Sequence, residues 1–334
     1  MLIKDSACAR YLMRKNSPKG GADMRIIEYS YPKSGVVLAA SAVCLGFFDG
    51  VHLGHRALIA STVDVARERG LVPTVFTFPA ETAGLKSGAD RIYTTEEKLR
   101  IFEELGVGAV VLCDFGSVSS LSPEEFVGKV LIADLGARIA LSGEDFRFGH
   151  RAEGDSAALA ALMREAGLDA IAHKMERYEL PCGSVEISAT LIREHLSRGE
   201  VGVAAALLGA PYRISGEIRG GRGMGRTYGY PTINTELCSD ILAHGVYHTS
   251  VRVGARAYTG LTNVGTCPSF GEREAHAETY LLDFSGDIYG EIAEISFLGY
   301  VREERVFESS EELAREIEKN IKDVLSRGSG AKGD

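Results

Sequence analysis

Two histidines three apart, His52 and His55, stand in the stretch Gly46-Phe47-Phe48-Asp49-Gly50-Val51-His52-Leu53-Gly54-His55. An apolar, strand-like run precedes them and a helical pattern starts near Arg56. Glycines at a strand-to-helix turn let backbone N–H groups approach an anion, and the helix N-terminus favours negative charge there. Gly46, Phe48, Asp49, Gly50 and Gly54 are therefore candidate triphosphate contacts. At a spacing of three, both imidazoles can face one side of the entering turn and donate hydrogen bonds to phosphate oxygens as charge develops in a nucleotidyl transfer. A structural histidine pair or half of a metal site would show the same spacing, but no third ligand is close in sequence. Two later segments suit the phosphate reading. Ser142 to Gly149 follows a strand pattern and presents Asp145 and Phe146, and Ile187-Ser188-Ala189-Thr190-Leu191-Ile192-Arg193 opens a helix. There Ser188, Thr190 and Arg193 offer two hydroxyls and a guanidinium to β and γ phosphates, although read alone the segment is an ordinary N-cap.

A second constellation begins with the Gly-rich, basic run Gly216 to Thr227, which contains Gly220, Gly225 and Arg226. Such a loop can wrap backbone amides around phosphates. It lacks the Gly-Lys-Ser/Thr ending of a Walker A loop, and a flexible hairpin is its bland alternative. Gly229-Tyr230-Pro231-Thr232-Ile233-Asn234 follows. Residues two apart on an extended segment share a face, so Thr232 and Asn234 can both offer oxygen to one Mg²⁺. In Glu278-Thr279-Tyr280-Leu281-Leu282-Asp283-Phe284, alternation puts Glu278 with Tyr280, Leu282 and Phe284. The expectation is a carboxylate on an apolar face, desolvated and suited to take a proton from an alcohol. A surface Glu at a sheet edge is the alternative.

These groups need two different scaffolds. From residue 36 to about 175, short β-branched runs alternate with amphipathic stretches, the pattern of a parallel sheet with helices. Strands are expected at 36–46, 72–78, 109–112, 138–141 and 170–173. Thr94-x-x-Glu97 and Ser122-Pro123-Glu124-Glu125 are capping-box starts. Helices over 188–198 and 201–208 end at Gly209-Ala210-Pro211, which sets a domain boundary between 209 and 210. Beyond it, strands at 213–218, 245–253, 257–264, 278–284 and 292–298, with no intervening helices, indicate a small antiparallel barrel. Leu313, Ile317, Ile321 and Val324 lie at helical spacing in a terminal helix over 309–327, and residues 328–334 are expected to be loose. Residues 1–23 have no strand or helix pattern and are read as a disordered extension or a misassigned start ahead of Met24. At 334 residues, 45% hydrophobic and 25% charged, the chain is long enough for two cores. Its net charge of −9 argues against a nucleic-acid-backbone binder. Six scattered cysteines without metal spacing, no apolar run of membrane-spanning length and no secretory signal make reduced thiols and the cytoplasm the default.

The order GxFDGVHxGH, GEDFRFG, ISxTxIR resembles the FMN adenylyltransferase module of bacterial bifunctional riboflavin kinase/FAD synthetases, over residues 24 to 200. The order GxIxxGxxxGRxxGxPTxN, GVY, ExxxLDF with DxYG, and VREExxF resembles the riboflavin kinase module, over residues 211 to 325. The resemblance implies an α/β plus β protein. Residues 24–209 would form a Rossmann-like nucleotidyltransferase domain and residues 210–327 a riboflavin kinase barrel. It also implies FAD biosynthesis from the small molecules riboflavin and ATP by way of FMN, with Mg²⁺ and without nucleic-acid or membrane partners. The oligomeric state is not readable. By the same resemblance His52, His55, Ser188, Thr190 and Arg193 handle ATP phosphates, and Asp145 contacts substrate or nucleotide. Glu278 is the base for the riboflavin 5′-hydroxyl, Thr232 and Asn234 contact Mg²⁺ and phosphate, and Arg302 and Glu303 lie near the flavin. One element departs from the family pattern: where Pro-His-Pro is usual after the second strand, the chain reads Thr77-Phe78-Pro79-Ala80-Glu81-Thr82. An alternative reading therefore keeps the kinase and gives the N-terminal module another acceptor or no activity.

Overall fold

The computed structural model describes residues 24–32, 37–82, 91–174, 177–180, 183–219, 232–236, 240–266, 275–284, 286–305 and 307–329. The residues it describes form two compact units, the first ending at Ala189 and the second starting at Thr190. That division falls earlier than the boundary expected at 209/210. The two helices in between belong to the second unit for a visible reason. The Ala243 N–H donates to the Leu196 carbonyl, and Gly199 lies so close to the Tyr300 ring that a Cβ there would sit 2.8 Å from it.

The first unit is a six-stranded parallel sheet, β1 (Arg25–Tyr29), β2 (Ser41–Leu45), β3 (Val72–Thr77), β4 (Ala109–Cys113), β5 (Ala137–Gly143) and β6 (Asp169–His173), in the order β1-β4-β3-β2-β5-β6. Strands β2 and β4 are buried at every position, as a sheet covered on both faces requires. The covering helices are α1 (Leu53–Arg69), α2 (Thr95–Glu104), α3 and α4 (Ser156–Glu165). Helix α3 begins as Pro123–Glu125 and runs on as a π-helix over Phe126–Asp134. Both expected starts are present. Thr94 accepts from the Glu97 N–H, and Ser122 and Glu125 cap each other reciprocally. The chain crosses from β2 to β3 on one side and later fills β5 on the other, so the strand order switches beside β2. Open α/β sheets bind ligands outside the carboxyl ends of the strands at such a switch.

Sequence reading left the hairpin β7 (Arg177–Leu180) with β8 (Gly183–Glu186) unassigned. Gly183–Glu186 is almost wholly exposed and so carries no hydrophobic alternation to read. Residues 1–23 lie outside the described residues, as do Cys8, Cys182, Cys238 and Cys267; Cys44 and Cys113 are free and buried.

The second unit opens within α5 (Ala189–Ser197), from Thr190 onward, followed by α6 (Val201–Leu208). It continues as an antiparallel sheet of β9 (Arg213–Glu217), β10 (Thr232–Glu236), β11 (Gly245–Val253), β12 (Arg256–Thr266), β13 (Ala275–Leu281) and β14 (Ile292–Arg302). The order is β9-β14-β11-β12-β13-β10, and the chain just past β9 returns to β10 through the bridge Arg219↔Asn234. Inside the curl, Thr249, Thr262 and Thr279 are fully buried and linked by hydroxyl bonds of 2.8 and 2.9 Å. The terminal helix α7 (Ser310–Ser329) buries Val324 against Val246 and Leu261. It extends two residues past the expected end at 327. Among the described residues no helix is long and apolar enough to cross a membrane.

Candidate functional sites

At the carboxyl ends of β2, β3 and β5, a cleft of about 700 Å³ opens in the first unit. Gly46, Phe48, Asp49, His52, Gly54, His55, Asp145, Phe146 and Ser188 all line it, along with Phe47, Phe78, Phe115 and Arg151. Its wall is aromatic: Phe47 and Phe78 lie 5.0 Å apart, and Phe78 meets Phe115 edge-on at 5.3 Å. Gly50 is buried beneath the turn at φ +76° rather than on the wall. Thr190 and Arg193 belong to the second unit, where the guanidinium lies 3.5 Å from the Thr190 hydroxyl.

The His52 and His55 rings are stacked, 3.7 Å apart and 20° from parallel. Burial lowers the His52 value to about 4, and burial together with the neighbouring His52 and Lys98 holds His55 well below its ordinary value. Both rings are therefore neutral near pH 7, each with one N–H to donate. The Nδ1 atoms of both are buried without a hydrogen-bond partner. Unpartnered buried polar atoms are costly, and two in one cleft mark a place for a polar ligand.

Lys98 had no signal in the sequence. Its side chain is 2% exposed, and its ammonium donates to the Phe47 carbonyl (2.7 Å), the Thr77 hydroxyl (3.2 Å) and the Phe78 carbonyl (3.1 Å). Where Pro-His-Pro is absent, the chain makes a 3-10 turn over Ala80–Thr82. The Ala80 N–H donates to the Thr95 hydroxyl at 2.8 Å, which donates to Glu81 at 2.9 Å.

In the second unit, a pocket of about 340 Å³ lies between the outer face of the sheet and α7. Thr232, Asn263, Glu278, Tyr280, Arg302, Glu304, Arg305 and Phe307 line it. Pairing aligns Asn234, Glu278 and Asn263 in one row across β10, β13 and β12. The Thr232 hydroxyl donates to Glu278 at 2.7 Å, which is the arrangement a substrate alcohol needs to lose its proton to that carboxylate. The Asn234 amide nitrogen is buried without a partner.

The apolar-face expectation for Glu278 is corrected. The buried face of β13 is Ala277, Thr279 and Leu281, and Glu278 is exposed on the opposite face. The strand starts at Ala275 and ends at Leu281, and Asp283 turns at φ +56°, so Leu282 and Phe284 do not continue the alternation. Arg302 lines the pocket with its guanidinium 5.4 Å over Phe307, while Glu303 is exposed and outside the lining. Its neighbour Glu304 instead accepts from the Asn263 amide at 3.0 Å. Gly220, Gly225 and Arg226 lie outside the described residues.

Among the described residues no three His, Cys, Asp or Glu side chains gather to hold a metal ion. The hydroxyl of Thr232 and the amide of Asn234 suit a hard cation that keeps most of its shell for phosphate and water. An amide's oxygen and nitrogen are interchangeable by rotation, so the partnerless end of Asn234 accommodates either.

Two family models match in tandem: FAD synthetase over residues 37–190 and riboflavin kinase over 208–327. A bifunctional riboflavin kinase/FMN adenylyltransferase of Bacillus subtilis is 34% identical, over 86% of this chain and 92% of that protein. The protein of that description from Escherichia coli K12 is also 34% identical, over 86% and 90%. A solved structure described as a macrolide-efflux protein from Streptococcus pneumoniae superposes with a TM-score of 0.77 at 30% identity, covering 90% of this chain and 98% of that one. With both modules matched in order and the relatives spanned almost end to end, the chain belongs to the bifunctional riboflavin kinase/FMN adenylyltransferase family, enzymes of FAD biosynthesis.

Proposed function

We propose that the two reactions are divided between the two units, with FMN made in the pocket of the C-terminal unit and FAD in the cleft of the N-terminal one. In the first reaction Glu278 accepts the proton of the riboflavin 5′-hydroxyl. The oxygen attacks the γ-phosphorus of ATP and ADP leaves. Thr232 and Asn234 would hold Mg²⁺, which neutralises charge on the phosphates. In the second reaction an FMN phosphate oxygen attacks the α-phosphorus of ATP, and the bond to the bridging oxygen breaks to release pyrophosphate. His52 and His55, held neutral, donate N–H bonds to phosphate oxygens as charge develops. Gly46, Phe48, Asp49, Gly54, Asp145, Phe146 and Ser188 are the cleft residues for nucleotide and flavin, with Gly50 shaping the turn. Thr190 and Arg193 are proposed for the β and γ phosphates on the sequence motif alone. Arg302 and Glu303 are proposed near the riboflavin, and Gly220, Gly225 and Arg226 on the kinase's phosphates.

The observation that carries this reading is the stacked histidine pair with two partnerless Nδ1 atoms in a cleft at the switch point of the sheet. The test is a pair of variants. Glu278→Gln is expected to abolish FMN formation from riboflavin while FAD formation from supplied FMN continues, and His52→Ala to do the reverse. Variants that each lose both activities while remaining folded would contradict two independent sites.

A further inference from the structure

We propose that Lys98 is a positioning residue for adenylyl transfer, holding the loops after β2 and β3 in register from beneath the cleft. The proposal rests on the N-terminal cleft being the adenylylation site. Lys98 comes from neither loop; it lies 51 residues past Phe47 and 20 past Phe78, on the first turn of α2. Its three N–H groups meet three acceptors: a carbonyl of the first loop, a hydroxyl at the end of β3, and a carbonyl of the second loop. The Thr77 hydroxyl donates to the Phe47 carbonyl at 3.0 Å and so is free to accept from the ammonium. Both carbonyls held by Lys98 belong to residues whose rings form the aromatic wall, 5.0 Å apart. The first loop continues within five residues into His52. A displacement of the first loop would therefore move Phe47 and the histidines together, and a displacement of the second would move Phe78 on the facing part of the wall.

Only the ammonium form satisfies all three acceptors with donated hydrogens; the amine has two. The groups whose charge bears on Lys98 are Asp49 on the first loop and Glu81 on the second, which favour its charged form, with His55 of α1 also coupled to it. Burial nonetheless brings its value down to about 8. The loop clamp thus loosens within an accessible alkaline range.

The experiment measures kcat and KM for FMN→FAD against pH in the wild type, Lys98→Met and Lys98→Arg, with thermal unfolding followed by far-UV circular dichroism as the control of folding and riboflavin phosphorylation by the same chains as a control for the other unit. In the wild type, kcat is expected to fall as pH rises through about 8. Lys98→Met is expected to lower kcat at least tenfold, since misplacement by about 1 Å costs up to roughly 10²-fold. Lys98→Arg, which stays charged, is expected to recover part of that loss and to lack the alkaline fall. Where Lys98→Met does not fold, the pH profiles of the wild type and Lys98→Arg decide. A folded Lys98→Met with unchanged kcat, or the same alkaline fall in Lys98→Arg and wild type, would overturn the proposal. A wild type that forms no FAD would instead overturn the assignment of the cleft.

Discussion

His52→Gln isolates the cost of keeping a neutral imidazole in the N-terminal cleft. The ordinary histidine value is 6.5 and the folded value of His52 is about 4, lowered by burial. Between those values the unfolded chain binds a proton that the folded one does not, so stability falls as pH drops from 6.5 toward 4. From about pH 7.5 to about pH 5, the His52 contribution falls by roughly 2 kcal/mol. His55 adds to the fall in the same direction. Glutamine does not titrate; the stacking it loses offsets stability equally at both pH values. The wild type is therefore expected to lose roughly 2 kcal/mol relative to His52→Gln over that interval. Urea unfolding followed by far-UV circular dichroism measures this, the chain having no tryptophan to report by fluorescence. Parallel pH dependences in the two proteins would refute the argument, because His52 would then be charged or solvated in the folded state. The role of a neutral donor would fall with it.

Thr232→Ala and Asn234→Ala should each raise the Mg²⁺ concentration needed for riboflavin phosphorylation, by about tenfold for the loss of one charge-assisted contact, without changing FMN→FAD. Titrating Mg²⁺ in the two assays checks this. Gly46→Ala puts a Cβ 2.9 Å from the ring of Phe48, which is fully buried and cannot yield. The cost should be about 1–3 kcal/mol in thermal unfolding, with a fall in FAD formation while FMN formation persists. Ser122→Ala removes the reciprocal cap of α3 and should cost about 1 kcal/mol in the same unfolding assay, with both activities retained.

Much of both sites could be read from local order in the chain. Glycines flanking His52 and His55 signal a tight strand-to-helix turn because backbone approach and helix entry are both local, and the two rings do meet face to face. Thr232 and Asn234 fell on one side of their strand for the same reason: a period of two needs no tertiary information. The orientation of Glu278 failed because alternation says which residues share a side and not which side is buried. Apolar Leu282 and Phe284 drew the strand too far toward the C-terminus. Lys98 was illegible for a different reason. The first turn of α2, Thr95-Glu96-Glu97-Lys98, reads as a solvated polar face, yet all four residues are buried. The Lys98 partners are two carbonyls and a hydroxyl, and those of Thr95 include the Ala80 N–H, groups that only the folded sheet brings near. The compact units divide near the start of α5 and not at Gly209-Ala210-Pro211, because such a stop ends a helix whether or not a compact unit ends there.

The most direct test of the account is a time course of the purified chain with riboflavin, ATP and Mg²⁺, with FMN and FAD separated by chromatography. The account predicts that FMN appears first and is then converted to FAD, with ADP and pyrophosphate released. FMN accumulating without FAD would contradict it, and the turn over Ala80–Thr82 that replaces Pro-His-Pro would be the first place to look.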